Sequence, residues 1–240
     1  METDSDLKMR RNIVDAKKNS SRMLKKKVLS LLHISDLEKG LEEICRYPAK
    51  QLIGPLFSHF FHQEEIIRWH AVTAMGAVVD GMAKSGDMES ARVVMRRLMW
   101  SLNDESGGIG WGSPEAMGEI TARNEKLANE FHRILTSYAC EEGNFLEHEI
   151  LQRGLLWGIG RLSHARPALI ADALPWLLPF LKSADPFHRG LAAWAAGPVA
   201  DENARTEIKK LATDNEVINI FLNGKLVQKS VAWLAKMSLM

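Results

Sequence analysis

The stretch SGGIGWGSPEAMG, residues 106–118, is the most unusual segment of this 240-residue sequence. It places four glycines between Gly107 and Gly112 and then passes directly into Ser113, Pro114 and Glu115. These three residue types are favoured, in that order, at a helix N-cap, at the first helical position and in the positively polarised first turn. We therefore predict a glycine-rich loop that leads into a helix, with Ser113 as the N-cap.

The second half of this stretch recurs along the chain. WGSPEAMG at 111–118 aligns with WHAVTAMG at 69–76, RGLLWGIG at 153–160 and GLAAWAAG at 190–197, and a degenerate fifth copy begins near residue 230. Each octet follows a more amphipathic helical segment, and a period near 40 residues with two helices in each unit is typical of HEAT and armadillo arrays. The sequence predicts an all-α fold, an α-α superhelix of about five helix pairs whose second helices line a concave side.

Small residues recur at one phase of the octets, and close packing explains them. A glycine inside a helix costs about 1 kcal/mol relative to alanine, so its recurrence indicates a helix end or a close backbone contact that offsets this cost. We expect neighbouring helix pairs to approach each other at these positions. The tryptophans that recur with the octets are expected to fill the space between repeats.

The octets resemble the HEAT-like repeat family, in particular the bacterial HEAT-like group named after phycobilisome (PBS) lyases. The likeness rests on Arg68-Trp69-x-Ala71-x-x-Ala74-Met75-Gly76, on Ala116-Met117-Gly118 and on the Arg189 to Gly197 segment, and it covers roughly residues 50–240. The whole looks similar to uncharacterised HEAT-repeat proteins of anaerobic bacteria. The resemblance implies an armadillo-like α-solenoid and leaves the function open, since such arrays include scaffolds, lyases, hydroxylases and glycosylases.

The domain organisation follows from the same pattern. Residues 1–48 are predicted to form a basic N-terminal helical segment or cap, and residues 49–240 the HEAT-like repeat domain. No segment alternates as a strand does, so residues 167–181 and 217–237 are both expected to be helical. The second of these helices is predicted to be interrupted at Asn223-Gly224.

The composition limits the compartment and the partners. Lys and Arg number 31 and Asp and Glu 30, a formal net charge of +1, so no global basic field favours nucleic acid. The only cysteines, Cys45 and Cys140, form neither a disulfide framework nor a zinc knuckle. The first residues lack the apolar core of a signal peptide, and no apolar run is long enough to cross a bilayer. We expect a cytoplasmic protein without membrane contact.

The glycine loop is the first candidate site. Its backbone N–H groups and the following helix N-terminus could hold an anion, or the loop could be only a long connection that wraps Trp111 onto the core. The negative charge of Glu115 stands where an anion would bind. Glu119 could share a binding role, although Arg123 lies four residues later and predicts an ordinary ion pair. The candidate binding residues are Gly107, Gly108, Gly110, Trp111, Gly112, Glu115 and Glu119.

We therefore predict a non-catalytic interaction or scaffold protein that holds a protein segment or an anionic ligand on its concave face near the glycine loop, without a cofactor or a metal. One alternative is a base-repair enzyme of the HEAT-like DNA glycosylase type, in which Trp111 would stand beside the carboxylate of Glu115. A less favoured alternative is a metal-dependent enzyme built on His148 and Glu149. The pair occurs once, whereas the HEAT-like di-iron hydroxylases need it in several repeats.

Overall fold

The computed structural model describes residues 22–103 and 110–240. Within these residues the chain is almost entirely helical. The helices are α1 (residues 22–32), α2 (Leu37–Cys45), α3 (Ala49–His59), α4 (Glu65–Lys84), α5 (Met88–Leu102), α6 (Ser113–Arg123), α7 (Glu125–Ser137), α8 (Glu149–Ala165), α9 (Leu174–Leu177), α10 (Pro186–Ala196), α11 (Glu202–Lys210) and α12 (Val231–Ser238).

The helices form two layers, as the repeat predicts. The octets lie on or at the start of α4, α6, α8, α10 and α12, and these five helices pack side by side in chain order to form the inner layer. The helices that precede them form the outer layer. This arrangement confirms the all-α superhelix of about five helix pairs.

The outer layer departs from prediction over residues 167–181. Instead of one helix, short 3-10 turns at Pro167–Leu169, Ala171–Ala173 and Pro179–Lys182 flank the single turn of α9. The physical reason is the number of prolines in this segment, because each proline lacks the N–H that an α-helix interior requires. The segment still supplies buried apolar side chains to the core.

Close packing between inner helices explains the recurring small residues. A side chain at Gly118 of α6 would overlap the backbone of Gly158 in α8, and a side chain at Gly76 of α4 would overlap Glu119. The inner helices can approach to this extent only because these positions lack a Cβ. The expectation of a close contact that offsets the cost of glycine is thus confirmed.

The start of α6 differs by one residue from the prediction. Gly112, not Ser113, is the N-cap, with a left-handed backbone at φ 74°. Ser113 is the first helical residue, and its hydroxyl is hydrogen-bonded to that of Ser101 at 2.7 Å. A left-handed backbone is free of strain only in a residue without a Cβ. The N-cap position is therefore occupied by glycine, and no side chain caps the helix.

The C-terminal segment contradicts the expectation that no strand is present. Val217–Leu222 (β1) and Lys225–Ser230 (β2) form an antiparallel hairpin, with Leu222 paired to Lys225 across the turn. The turn residues Asn223 and Gly224 both have positive φ, 50° and 76°, which is the two-residue turn that Asn-Gly favours in hairpins. The predicted helix over residues 217–237 is therefore wrong over residues 217–230, although the predicted interruption at Asn223-Gly224 coincides with the turn.

The hairpin lies across the inner layer. The ring of Phe221 in β1 stacks on Trp69 of α4 with 5.2 Å between centroids and 3° between planes. The indole N–H of Trp157 in α8 donates to the carbonyl oxygen of Phe221 at 2.8 Å. The hydrogen bond satisfies the Phe221 carbonyl, and together the two contacts hold the hairpin against α4 and α8.

Candidate functional site

A cavity of about 450 Å³ opens on the inner layer beside the hairpin. This volume lies within the range of pockets that bind small molecules or single groups of a larger ligand. Its walls are mainly aromatic. The aromatic residues that line it are Phe60, Phe61, Trp69, Trp111, Trp157 and Phe187.

Two inner helices present matching stripes to this cavity. Helix α4 contributes residues 65, 68, 69 and 72, and helix α8 contributes residues 150, 153, 154 and 157. Residues spaced by three, four and seven lie on one helix face, so each helix turns a single stripe inward. Gly112 and Glu115 of α6 lie between the two stripes in the layer, and Asn219 and Ile220 of β1 close one side.

Glu115 is the most unusual polar group of the site. Its side chain lines the cavity, yet its Oε2 atom is buried and has no hydrogen-bond partner among the described residues. Loss of solvent raises the pKa of this carboxyl from 4.5 to about 7, while its own backbone N–H and the charge of Arg68 act in the opposite direction. Near neutral pH the carboxyl is therefore poised between its two protonation states.

The two guanidinium groups of the site have protein partners. Arg153 donates to the Asp185 carboxylate at 2.7 Å and lies over the ring of Phe187, 4.5 Å from its centroid. Arg68 donates to the carbonyl oxygens of His62 and Gln63, just before α4. Both arginines are thus held against the wall.

The rim of the cavity is apolar. Phe61 and Ile150 both line the opening and are 57% and 44% exposed. The charged residues that line the cavity are two arginines and two glutamates, so the opening is not a basic groove. An exposed aromatic and an exposed aliphatic side chain at the mouth of an aromatic pocket are typical of a surface that receives a partner.

The structure separates the residues predicted as one binding loop. Trp111, Gly112 and Glu115 line the cavity together. Gly110 packs on the end of α5 at Ser101 and Leu102 and does not line it. Gly107 and Gly108 lie outside the described residues.

Glu119 lies one helical turn beyond Glu115 and does not line the cavity. Its side chain is 4% exposed and forms ion pairs with Arg123 of the same helix and Arg161 of α8. The i,i+4 pair expected from the sequence is therefore present, and a second arginine joins it. In this setting Glu119 links two repeats and has no free carboxylate oxygen for a ligand.

His148, the histidine of the His148–Glu149 pair considered as a metal site, has a structural role. His148 is the N-cap of α8, where its Nδ1 accepts from the Ile150 N–H at 3.3 Å, and its ring meets Trp111 edge-on at 5.7 Å. Over residues 22–103 and 110–240, no three His, Cys, Asp or Glu side chains are grouped so that they could hold a metal ion. The same residues contain no helix of the length and apolarity needed to cross a membrane.

Sequence reasoning missed several residues of the site. Arg68 and Arg153, which lie at or just before the start of their octets, were not among the predicted site residues, and neither were Glu65, Phe187 and Asn219. The stripes on α4 and α8 could have been found from their spacing. The contribution of β1 could not, because it depends on the hairpin.

Comparison with known proteins adds little beyond the fold. No model of a known protein family matches the sequence. An uncharacterised protein of Archaeoglobus fulgidus is 28% identical over 120 residues, which are 50% of this chain and 56% of that protein. This chain therefore matches little more than half the length of that relative.

Two solved structures resemble the chain at 16% sequence identity. An engineered protein from a structural genomics consortium has a TM-score of 0.48, with 90% of this chain and 94% of that chain covered. A designed armadillo repeat protein in complex with the peptide (KR)4 has a TM-score of 0.49, with 89% and 97% covered. At these values neither neighbour bears on what this chain binds.

Proposed function

We propose that this chain is a non-catalytic, HEAT-like helical-repeat module that holds a protein segment across the cavity of its inner layer. The observation that carries the proposal is the combination of an aromatic pocket with an exposed apolar rim at Phe61 and Ile150. A protein segment supplies both a side chain for the pocket and apolar neighbours for the rim. The recurring octets support the HEAT-like assignment.

The chemistry of the site favours a protein segment over an anionic ligand and over nucleic acid. An anion would have to approach the carboxyl of Glu115, so an anionic ligand is disfavoured. Nucleic acid requires several positive charges along a groove, whereas the arginines of this cavity are held by protein groups and are matched by glutamates.

Selection from a random-peptide display library tests this proposal. Wild-type protein is compared with Ile150→Trp, which narrows the mouth of the cavity, and with Trp111→Ala, which removes one wall. The matched control is Val93→Trp, since Val93 is 52% exposed on α5 of the outer layer.

We expect wild type and Val93→Trp to enrich the same peptides, and both cavity variants to lose them while they keep their melting temperatures. Enrichment that survives Ile150→Trp, or a library from which wild type enriches nothing, contradicts the proposal. If Trp111→Ala unfolds the protein, Ile150→Trp still decides the result, because it adds a side chain at an exposed position.

A second function is favoured by one observation. Trp111 and Glu115 line the same aromatic cavity, and the pKa of Glu115 near 7 suits a group that transfers protons. This is the arrangement expected of a base-directed enzyme. Incubation with a duplex that contains an alkylated purine, followed by chromatography of free bases, tests it; the binding-module proposal expects no release of base.

A further inference from the structure

We infer that the cavity receives the guanidinium group of an arginine side chain, which donates to the carboxylate of Glu115 and lies against the tryptophan walls. This inference rests on the proposed function, because the arginine belongs to the bound protein segment. It names the chemistry of the group that enters the cavity.

The first argument is the missing partner of Glu115. Buried carboxylate oxygens in proteins almost always accept hydrogen bonds, and Oε2 of Glu115 accepts none within the described chain. The Glu115 side chain lines the cavity while Oε2 itself is covered by protein atoms, so a turn of the carboxyl group would bring this oxygen to a ligand donor. A second cavity of about 480 Å³, beside Trp176 and Phe180, also has carboxylates around it. No side-chain atom among its described lining residues is both buried and unpartnered.

The second argument is charge. Glu65 and Glu115 line the cavity with Arg68 and Arg153, and Arg153 is already paired with Asp185, which lies outside the lining. With Asp185 included, the group carries one net negative charge when Glu115 is ionised. A single cation neutralises it. An anion would increase the imbalance, and a neutral group would leave the carboxylate without a charge partner in an apolar environment.

The third argument is shape. The walls beside Glu115 include Trp69, Trp111 and Trp157, and tryptophan is the best aromatic partner for a cation. A guanidinium is planar and stacks on rings, whereas an ammonium is a compact and strongly hydrated charge. The cavity already contains one contact between a guanidinium and an aromatic ring, because Arg153 lies over Phe187. The entering arginine would form a second contact of this kind.

Binding should depend on the protonation of Glu115. The titratable and charged groups that line the cavity with it are Glu65 and Arg68 on α4, His62 before α4 and Arg153 on α8, and His148 at the start of α8 lies against the ring of Trp111. With a pKa of about 7 in the free protein, about a tenth of Glu115 is ionised at pH 6 and about nine tenths at pH 8. A cation that requires the ionised form therefore binds about tenfold more tightly at pH 8 than at pH 6.

The test uses N-acetyl-arginine methylamide, titrated while the tryptophan fluorescence is recorded, with the citrulline, lysine and glutamate analogues as comparison probes. Citrulline keeps the shape of arginine but lacks the charge. The protein variants are Glu115→Gln and the control Glu125→Gln, which removes an exposed carboxylate on the outer helix α7.

We expect the arginine probe to bind wild type and Glu125→Gln, at least tenfold more tightly than the citrulline probe, and to gain about tenfold from pH 6 to pH 8. Glu115→Gln should lose both the preference and the pH dependence. No binding of the arginine probe, equal binding of citrulline or lysine, preference for glutamate, or an unchanged Glu115→Gln titration each overturns the inference. Comparison of the probes on wild type does not depend on any variant folding.

The two proposals fail separately. A library that enriches peptides without a required arginine, through a cavity that Ile150→Trp closes, supports the proposed function and removes this inference. Loss of all peptide enrichment removes the proposed function itself.

Discussion

Gly154 of α8 lies directly against the carboxyl group of Glu115 in α6, so that any side chain at position 154 would overlap this carboxyl. The glycine therefore makes room for the acid of the neighbouring repeat. Its role depends on a contact between two helices and not on its own backbone, because it lies within a regular helix.

Gly154→Ala should displace the Glu115 carboxyl from the cavity wall and reduce binding of the arginine probe at least tenfold. The contact is with the movable end of a side chain, so its displacement should roughly offset the 0.5–1 kcal/mol that alanine gains over glycine in a helix, and the free energy of unfolding should change little. Gly54→Ala in α3 is the control, since an added Cβ there meets no described atom within 4 Å and should stabilise the helix by about 0.5–1 kcal/mol. Chemical denaturation of both variants checks this, and equal stabilisation by the two would refute the contact.

The contribution of Glu115 to the stability of the protein should fall as the pH rises from about 4.5 to about 7. Over this interval the folded state keeps a proton on Glu115 that the unfolded state has lost, because the pKa of Glu115 is raised from 4.5 to about 7. The loss amounts to about 3 kcal/mol for such a shift. Above pH 7 this contribution no longer changes.

Glu115→Gln should remove that dependence and be more stable than wild type at pH 8 by up to about 3 kcal/mol. At pH 4 the two proteins should be equally stable, since the acid is then protonated in both states. Urea denaturation at four pH values measures this difference. A constant difference between the two proteins across the series would show that the carboxyl is not buried.

Glu119 should matter to stability and not to binding. Glu119→Ala removes a buried carboxylate that accepts from both Arg123 and Arg161, whose side chains remain 30% and 34% exposed, and should cost about 2 kcal/mol, the usual value for hydrogen bonds to charged groups. The comparison is Glu130→Ala, whose carboxylate pairs with Arg92 while both side chains are 36% exposed, and which should cost less than about 1 kcal/mol. Thermal unfolding of the two variants tests the contrast. Similar losses would mean that the Glu119 pairs contribute little.

Phe221→Ala should destabilise the protein by about 3–5 kcal/mol, the range for removal of a buried phenylalanine. It removes the ring that stacks on Trp69 and should change the tryptophan fluorescence. Val217→Ala in the same strand is the control, because Val217 is 56% exposed. Equal free energies of unfolding for the two variants would contradict the packing of Phe221 described above.

The repeat could be predicted from the sequence because each octet carries its own small residues at a fixed phase. Gly118 and Gly158 belong to different octets. Each can be recognised from its own octet as a glycine that destabilises a helix unless a close contact compensates. The contact between them follows once neighbouring repeats are stacked. Local sequence and the overall fold agree here, and the prediction was therefore correct.

The hairpin and the state of Glu115 could not be predicted in the same way. Asn223-Gly224 is a turn signal, but the stability of β1 comes from Trp69 and Trp157, which are distant in sequence. The position of the Glu115 carboxyl depends on Gly154 of another helix, and the cavity that it lines is closed on one side by the same hairpin. A search for periodicity within one segment cannot find a feature that forms only where three separate segments meet.

In an open repeat array each unit contacts only its neighbours, so that end units can unravel independently. Here the tip of the hairpin at Gly224 lies against Leu37 of α2, and Phe221 lies on the first octet helix. The C-terminal unit is thereby fastened to the N-terminal one, across most of the sequence. Such distant contacts form slowly. We also expect them to couple the repeats into one melting transition, so that a destabilising mutation in any repeat lowers the stability of all.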